Sequence, residues 1–225
     1  MLLFCLTTNF MFSQNVAEVL IEKGDGLVIG GYGEIHLNIN EDANNKVDVH
    51  RLVTLLGYNF NDKVQFVSEI EFEHVNEVYV EQAFLSYGVT DNLNLRAGLM
   101  LVPMGIVNEY HEPTTFNGVE RPGMDKSIVP STWREIGFGL NGRMDNASLK
   151  YQLYLFNGFK SDGLGGSNGI RSGRQKGAEA MWNTTNVSVD VDWYGVQGLK
   201  LGVSGYFGDS NVDEGADVPG VGISM

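Results

Sequence analysis

Cysteine and basic residues are scarce in this chain, and helix-length apolar runs are missing. Cys5 is the only cysteine among the 225 residues, so no disulfide can form within the chain. There are 15 Lys and Arg against 28 Asp and Glu, a formal charge of −13. This balance argues against nucleic acid as a partner, because phosphate groups are neutralised by a surplus of basic residues. A transmembrane helix needs about 18 to 20 consecutive apolar residues, and no segment after residue 14 approaches that length.

Proline is rare as well, and its distribution is uneven. The chain has 5 prolines against 29 glycines, and aromatic residues make up 11% of it. Many aromatics and glycines with few prolines favour a large twisted sheet over a helical protein. Four of the five prolines lie in residues 103–132, a polar stretch without a hydrophobic period. Unstructured connections of that length are uncommon in compact domains and are usually functional or disordered.

The two ends of the chain differ in composition from its middle. Residues 1–14, MLLFCLTTNFMFSQ, are apolar and uncharged, which predicts a signal peptide cleaved near Gln14, followed by a periplasmic segment over 15–26. The positively charged start of such a peptide is missing, so we expect the true start to lie upstream. A buried first strand is the alternative.

Residues 209–225 are rich in glycine and acidic residues. They are predicted to form an extracellular loop that is cut off without a final strand. Calcium binding by Asp209, Asp213, Glu214 and Asp217 is left open, with a solvated acidic loop as the favoured interpretation.

From residue 27 to 208 the chain repeats one unit, an alternating segment followed by a turn. Nine strands are predicted, over residues 27–39, 47–60, 63–73, 77–89, 93–101, 133–143, 147–157, 179–194 and 199–207. Strands of soluble proteins are typically about five or six residues long. A tilted strand that crosses a bilayer needs about 9 to 11 residues, and the predicted lengths match that requirement.

Most predicted strands have one apolar and one polar face, as a half-wet antiparallel sheet requires. In residues 199–207, Leu201 and Val203 share one face while Lys200 lies on the other. Strand 77–89 is ambiguous, because Glu81 and Gln82 fall on opposite faces.

The charged faces must point inward if these strands cross a membrane. A Lys or Arg on the lipid face costs about 2–4 kcal/mol near the midplane. The predicted lumen-lining residues are Arg51, Glu69, Glu71, Glu73, Arg96, Glu135, Arg143, Lys150, Asp190, Asp192 and Lys200. A soluble sandwich would reverse the assignment, and alternation alone does not separate the two folds.

The connections between the predicted strands do separate them. Every second connection is a minimal turn rich in Asn, Asp and Gly (NFNDK, TDN, RMDNA and YGVQG), and every long connection falls in the other set. Short turns at one end and long loops at the other are the pattern of an outer-membrane barrel. We therefore predict an all-β fold, an antiparallel up-and-down transmembrane β-barrel. Because such bacterial barrels have even strand numbers, nine strands predict an incomplete part of a barrel with about 16–18 strands.

Several sequence segments resemble a known family. They are VDVHRLVTLLGYNFNDKVQFVSEIEFEHV, the segment around HEPTTFNGVERP, STWREIG, and YQLYLFNGF followed by GIRSGRQKG. Over roughly residues 27 to 207 the chain resembles bacterial outer-membrane porins, and in particular the phosphate-selective porin O and P family. The resemblance implies an outer-membrane location, a third external loop (here 103–132) that folds into the pore and narrows it, and a homotrimer.

Phosphate selectivity in that family rests on lumen arginines and a cluster of lysines. This chain has only 15 basic residues, and those predicted to point inward are outnumbered by acids. The resemblance therefore supports a porin, and phosphate or anion selectivity is kept as an alternative.

The long loop supplies the candidate constriction residues: Glu109, His111, Glu112, Glu120, Arg121, Asp125 and Lys126. A ring of charge at a constriction sets ion preference, whereas a solvated external loop would pair these charges with one another. Arg134 and Glu135 follow shortly after the loop. The side chain of Glu135 is predicted to point inward, and Arg134 is predicted to lie at the rim. Two interpretations of the acidic stripe Glu69, Glu71 and Glu73 stay open. The stripe would attract cations, or it is the ordinary polarity of a lumen, offset by Arg51.

Motifs for metals, cofactors and catalysis are not found. The histidines at positions 36, 50, 74 and 111 occupy different segments without ligand spacing, so no metal site is predicted. The glycine clusters GGYGE and GLGGSNG lack the Lys-Ser/Thr of a phosphate-binding loop, and no serine elbow is present. We predict a non-enzymatic, cofactor-free diffusion channel in outer-membrane lipid for small hydrophilic solutes or ions. The alternatives are a secreted β-sandwich binding module and a barrel phospholipase.

Overall fold

The computed structural model describes residues 26–112, 122–165, 167–212 and 222–224. Ten antiparallel strands form one sheet in sequence order, so each strand pairs with its neighbours along the chain. The strands are β1 (Gly26–Asn38), β2 (Lys46–Asn59), β3 (Val64–Glu73), β4 (Glu77–Thr90), β5 (Leu93–Leu101), β6 (Arg134–Met144), β7 (Leu149–Phe156), β8 (Asn186–Val196), β9 (Leu199–Asp209) and β10 (Gly222–Ser224). Within the described residues one short α-helix, α1 (Met124–Ser127), lies between β5 and β6, and there are three short 3-10 helices, Asp145–Ala147, Ser161–Gly163 and Arg171–Gly173. The predicted all-β, antiparallel class is confirmed.

Within the four described ranges, no helix combines the length and the apolar character needed to span a bilayer.

The eighth strand starts later than predicted, at Asn186 instead of residue 179. Several backbone N–H groups before this strand donate hydrogen bonds to side chains. Gln175 Oε1 accepts from the Met181 N–H at 2.7 Å, and Asn211 Oδ1 accepts from Asn183 and Thr184 at 2.8 and 3.0 Å. Because these groups are already bonded, they do not extend the ladder to β9.

The tail differs from its prediction too. Gly222–Ser224 adds the short strand β10, which pairs with Phe207–Asp209 of β9. The expectation of a tail without a strand is therefore wrong at these residues. The signal peptide over 1–14 and the acidic residues 213–217 lie outside the described residues.

The alternation of short turns and long connections has a structural basis. Short turns at one end of the sheet join β2 to β3, β4 to β5, β6 to β7 and β8 to β9. In the first of these, Asn61 Oδ1 accepts from the Lys63 and Val64 N–H groups at 2.9 and 3.0 Å, the usual way an Asn closes a turn. The two longest connections of the described residues, 102–133 and 157–185, lie at the opposite end.

The sheet is polar on its covered face and apolar on its exposed face. Val203 and Ile29 are 71% and 66% exposed, whereas Glu71 and Glu135 are 2% and 0% exposed. A water-soluble sheet does the reverse, because burying charge is costly and burying apolar surface is favourable. The described strands all belong to one sheet, with no second sheet over the apolar side. The arrangement contradicts the β-sandwich and suits an apolar surface facing lipid.

An apolar cluster nevertheless lies on the polar side, beneath the loops. Trp133 stacks on Phe159 with ring centroids 4.7 Å apart, and Tyr206 of β9 lies 4.7 Å from Trp133 and 5.5 Å from Phe159. All three side chains are fully buried. Because the three rings come from the two long connections and from β9, they hold both connections against the inside of the sheet.

Glycine allows β7 aromatic rings to lie against β6. A Cβ on Gly137 would sit 2.4 Å from the Phe156 ring, and one on Gly139 would sit 2.8 Å from the Tyr154 ring. The same Cβ atoms would also approach the carbonyl oxygens of Leu155 and Leu153 at 2.4 and 2.1 Å. A larger residue would push β7 away, so these two positions require glycine.

The lipid-facing assignment predicts the effect of a charge at Leu153, in the middle of β7 on the exposed face. Leu153→Arg should lower the free energy of unfolding by about 2–4 kcal/mol, and Leu153→Met should cost less than about 1.5 kcal/mol. Urea unfolding of the protein in phospholipid vesicles, followed by tryptophan fluorescence, measures both. Equal stability of the two variants would contradict the assignment.

Candidate functional site

The described part of the long loop, which joins β5 to β6 over residues 102–133, lies across the polar face. The Gly105 N–H donates to Ser204 Oγ of β9 at 3.2 Å. Gln152 of β7 donates to both carboxylate oxygens of Glu109 at 3.0 and 2.9 Å. Val102 and Met104, at the start of the loop, are buried. The loop therefore folds inward onto the charged side of the sheet.

Asn108 joins the two ends of this loop. Its Nδ2 donates to the carbonyls of Val102 and Trp133 at 2.7 and 2.9 Å. Its Oδ1 accepts from the Trp133 N–H at 2.8 Å. The side chain is 1% exposed. Losing it would leave the Trp133 N–H without its acceptor, whereas the Val102 and Trp133 carbonyls would keep the backbone donors of Met104 and Val102.

A β-bulge explains the ambiguous strand 77–89. In the β3–β4 ladder Glu69 pairs with Gln82, but the next residue, Ile70, pairs with Val80. Glu81 is the extra residue, and such a bulge turns two consecutive side chains toward one face. Glu81 and Gln82 are accordingly both buried on the polar side, where Gln82 donates to Glu69 at 2.8 Å.

Glu81 links the long loop to β6. Its Oε1 accepts from Arg134 Nη1 at 2.7 Å, and its Oε2 lies 2.9 Å from His111 Nε2. His111 Nδ1 lies 2.9 Å from the Asn108 carbonyl, which can only accept, so Nδ1 carries a proton. Arg134, which is predicted at the rim, is the first residue of β6, and its side chain is 4% exposed because it reaches the Glu81 carboxylate.

Opposite charges face each other across a cavity of about 170 Å³ beside this pair. Glu71, Glu73 and Glu81 contribute acids. The basic lining residues are Arg134, Arg171, Arg174 and Lys176. Closely spaced charges of both signs produce a strong local field, which is the property that tunes ion passage.

The basic side of the cavity is strongly electropositive. Arg174 donates to the Ser131 carbonyl at 2.7 Å and to Thr132 Oγ1 at 3.1 Å, which are neutral acceptors. Burial, together with the nearby Arg171 and Arg134, lowers the pKa of Arg174 to about 9. The same causes, burial first and then the neighbouring arginines, lower the pKa of Lys176. An anion in the cavity would relieve this repulsion.

The acidic stripe on β3 is partly neutralised. Arg51 contacts Glu34 at 2.8 Å, Glu71 at 2.9 Å and Glu73 at 4.0 Å. Glu69 is bonded to Gln82 instead. The interpretation of ordinary polarity offset by Arg51 therefore describes Glu71 better than a free negative stripe does.

Further predicted lumen residues lie on the same face. Glu135 accepts from Asn157 Nδ2 at 3.0 Å and from the Gln175 N–H at 2.9 Å. Asp190 is buried, and Arg96 lies over the Phe84 ring at 5.2 Å.

The β7–β9 part of the face carries a second ion pair. Asp192 binds Lys200 at 2.7 Å, and Lys150 lies opposite Asp192 in the β7–β8 register. Lys200 also lies 4.9 Å from the Tyr110 ring of the long loop. The loop therefore contacts this part of the sheet through a cation as well as through Glu109.

Some candidates lie elsewhere. Arg143 sits at the short-turn end, 62% exposed, 3.4 Å from Asp145. Asp125 and Lys126 are on α1, with burial raising the pKa of Asp125. Glu112 is buried within the loop. Glu120 and Arg121 lie outside the described residues.

The sequence prediction missed Glu81, Arg171, Arg174 and Lys176. Glu81 was missed because a bulge is invisible to strict alternation. The three basic residues come from the segment GIRSGRQKG, whose density of positive charge in an otherwise acidic chain was the available signal.

Comparison with known proteins finds relatives of this chain. A curated relative, an uncharacterized protein of Aquifex aeolicus (strain VF5), is 35% identical over 214 residues, covering 90% of this chain and 49% of the relative. The chain thus spans about half the length of that relative.

Two solved structures of OmpT, an outer membrane protein of Vibrio cholerae, are also similar. The loop L8 deletion mutant has a TM-score of 0.36 at 13% identity, over 84% of this chain and 72% of that one. The in-vitro folded trimer form has a TM-score of 0.35 at 13% identity, over 84% and 68%.

The family described as phosphate-selective porin O and P matches residues 26–223. This range includes every described strand except the last residue of β10. The family, the exposed apolar face and the charged inner face agree with one another. The chain therefore belongs to the phosphate-selective porin O and P family and lies in the bacterial outer membrane.

Proposed function

We propose that the chain forms part of a water-filled channel for passive diffusion of small hydrophilic solutes or ions. The observation that carries the proposal is the charged inner face with the long loop folded across it. A buried layer of acids and arginines is costly next to lipid. It is favourable along a hydrated passage, where water and ions solvate the charges. The proposal takes the strands as one part of a larger barrel of about 16–18 strands that assembles as a homotrimer.

The long loop is the proposed constriction. It is tied at its base by Asn108, joined to β4 through His111 and Glu81, and joined to β7 through Glu109. Contacts on both sides of the inner face would hold the loop across the passage instead of letting it swing outward. This supports narrowing by residues 103–132, with Glu109, His111 and Glu112 as its charged members.

Anion selectivity, including selectivity for phosphate, is the second candidate. It is favoured by the four basic residues that line one cavity and by the lowered pKa values of Arg174 and Lys176. Guanidinium groups can hold an oxyanion through paired hydrogen bonds. The three carboxylates of the same cavity favour the less selective channel.

The Asn108 clamp predicts a change in pore size. Asn108→Ala removes three hydrogen bonds and leaves the buried Trp133 N–H unpaired, at a cost of about 1–3 kcal/mol. The loop should therefore loosen, and single-channel conductance in planar bilayers should rise. Asn168→Ala, in an exposed loop with one bond to Ser172, is the matched control and should leave conductance unchanged. Unchanged conductance in both variants would show that the loop does not limit the current.

The cavity predicts opposite shifts in ion selectivity. One unit charge at about 4 Å in water is worth about 1 kcal/mol, or about fivefold in preference. Arg171→Gln with Arg174→Gln should shift the reversal potential in a salt gradient toward cations by that order, and Glu73→Gln should shift it toward anions. Arg143→Gln, at the exposed short-turn end, should have little effect.

The reversal potential of the unmodified channel separates the two candidates. A strong anion preference supports anion or phosphate selectivity, and a weak preference supports general diffusion. If none of the cavity variants shifts the potential, the cavity does not lie on the ion path.

A further inference from the structure

Three of the four histidines meet at the long-loop end of the sheet. His36 is near the end of β1, His50 near the start of β2 and His74 in the β3–β4 turn. The His36 and His50 rings stack with centroids 3.9 Å apart and an interplanar angle of 10°. His74 meets His50 edge-on at 5.2 Å. Antiparallel pairing thus brings together residues that have no ligand spacing along the chain.

The Asp48 carboxylate lies between two of these histidines, His50 and His74. Asp48 Oδ2 lies 2.7 Å from His74 Nδ1 and 3.3 Å from His50 Nδ1. Two imidazoles therefore direct the same ring nitrogen at a single oxygen. Ligand atoms of these three residues lie within 4.8 Å of one another.

A bulge and a constrained turn create this arrangement. In the β1–β2 ladder Glu34 pairs with Arg51, and the next residue, Ile35, pairs with Val49. His50 is the extra residue, so it projects on the polar face as Asp48 does.

The turn presents His74 to this pair. His74 and Val75 have φ values of 48° and 71°, a left-handed conformation that is disfavoured for a β-branched residue such as valine. The His74 N–H donates to the His50 carbonyl at 3.2 Å, which fixes the turn against β2. The turn therefore holds His74 beside His50.

We propose that Asp48, His50 and His74 bind one divalent transition-metal ion of the zinc class at the outer mouth of the protein. Two imidazoles with one carboxylate suit zinc, whereas calcium and magnesium prefer oxygen ligands throughout. In a tetrahedral zinc site with bonds of about 2.1 Å, ligand atoms lie about 3.3 Å apart. Asp48 Oδ2 and His50 Nδ1 already have this separation, at 3.3 Å, and His74 Nδ1, at 2.7 Å from Asp48 Oδ2, would move outward to reach it.

Exposure supports this set of ligands. The side chains of Asp48, His50 and His74 are 33%, 20% and 47% exposed, so an ion can enter and water can complete its coordination. The inner group of Glu34, His36 and His50 is a poorer site, because Arg51 Nε lies 2.8 Å from the Glu34 carboxylate. In the proposed site His36 stacks behind His50 and orients its ring.

Zinc titration of the chelator-treated protein in detergent tests the proposal by calorimetry, without relying on channel activity. One zinc ion should bind per chain, and excess magnesium should not displace it. His74→Asn removes the imidazole but suits the turn, because Asn tolerates positive φ. This variant and His50→Gln should each weaken zinc binding by more than about tenfold, since removing a ligand exceeds the effect of removing a supporting group. Asp145→Asn, at the opposite end of the sheet, should bind zinc normally.

The heat-modifiable gel shift of each variant establishes that it has folded. Zinc should also raise the thermal unfolding temperature of the unmodified protein but not that of folded His74→Asn. No zinc binding, binding that survives His74→Asn, or displacement by magnesium would overturn the proposal. Loss of binding in His36→Gln with retention in His74→Asn would assign the ion to the inner group and also overturn it.

Discussion

The lipid on one side of the sheet is the constraint on which the rest of the structure depends. Ionised side chains are expensive in hydrocarbon, so each strand keeps one apolar face toward the bilayer and collects its charges on the other. The inner charges must then be paired, hydrogen-bonded or hydrated. Arg51 with Glu71, and Arg134 with Glu81, are the pairs in which this requirement is met most closely. The acidic composition of the chain is thereby compatible with membrane insertion.

The inner face is consequently an electrostatic surface, onto which the two long connections fold. The Trp133 cluster holds their apolar side chains and the Asn108 clamp closes the base of the long loop. Glu81 and the cluster around Arg174 place charge where these connections meet. Structural pairing and the proposed ion preference would therefore depend on the same residues, so variants at this site need a test of folding beside a test of current.

Strand positions and the two faces could be predicted from the sequence, because alternation and turn composition are local properties. The inner positions of Glu81 and His50 could not, since each depends on a bulge in the register with a neighbouring strand. The buried contact of Arg134 with Glu81 could not be predicted either, because the two residues are 53 positions apart in the sequence. The start of β8 was placed too early, because Asn211 binds the preceding backbone from far along the chain. Long-range partners thus account for these errors.

Cysteine labelling at two adjacent residues of β9 tests the central claim, that the charged face lines water and the apolar face meets lipid. In a Cys5→Ser background, Lys200→Cys and Leu201→Cys place thiols on opposite faces of one strand. A charged, membrane-impermeant thiol reagent should modify Lys200→Cys and reduce its current. The same reagent should leave Leu201→Cys unmodified, while a lipid-soluble maleimide reacts with it. Modification of Leu201→Cys by the charged reagent, with Lys200→Cys inert, would contradict the account.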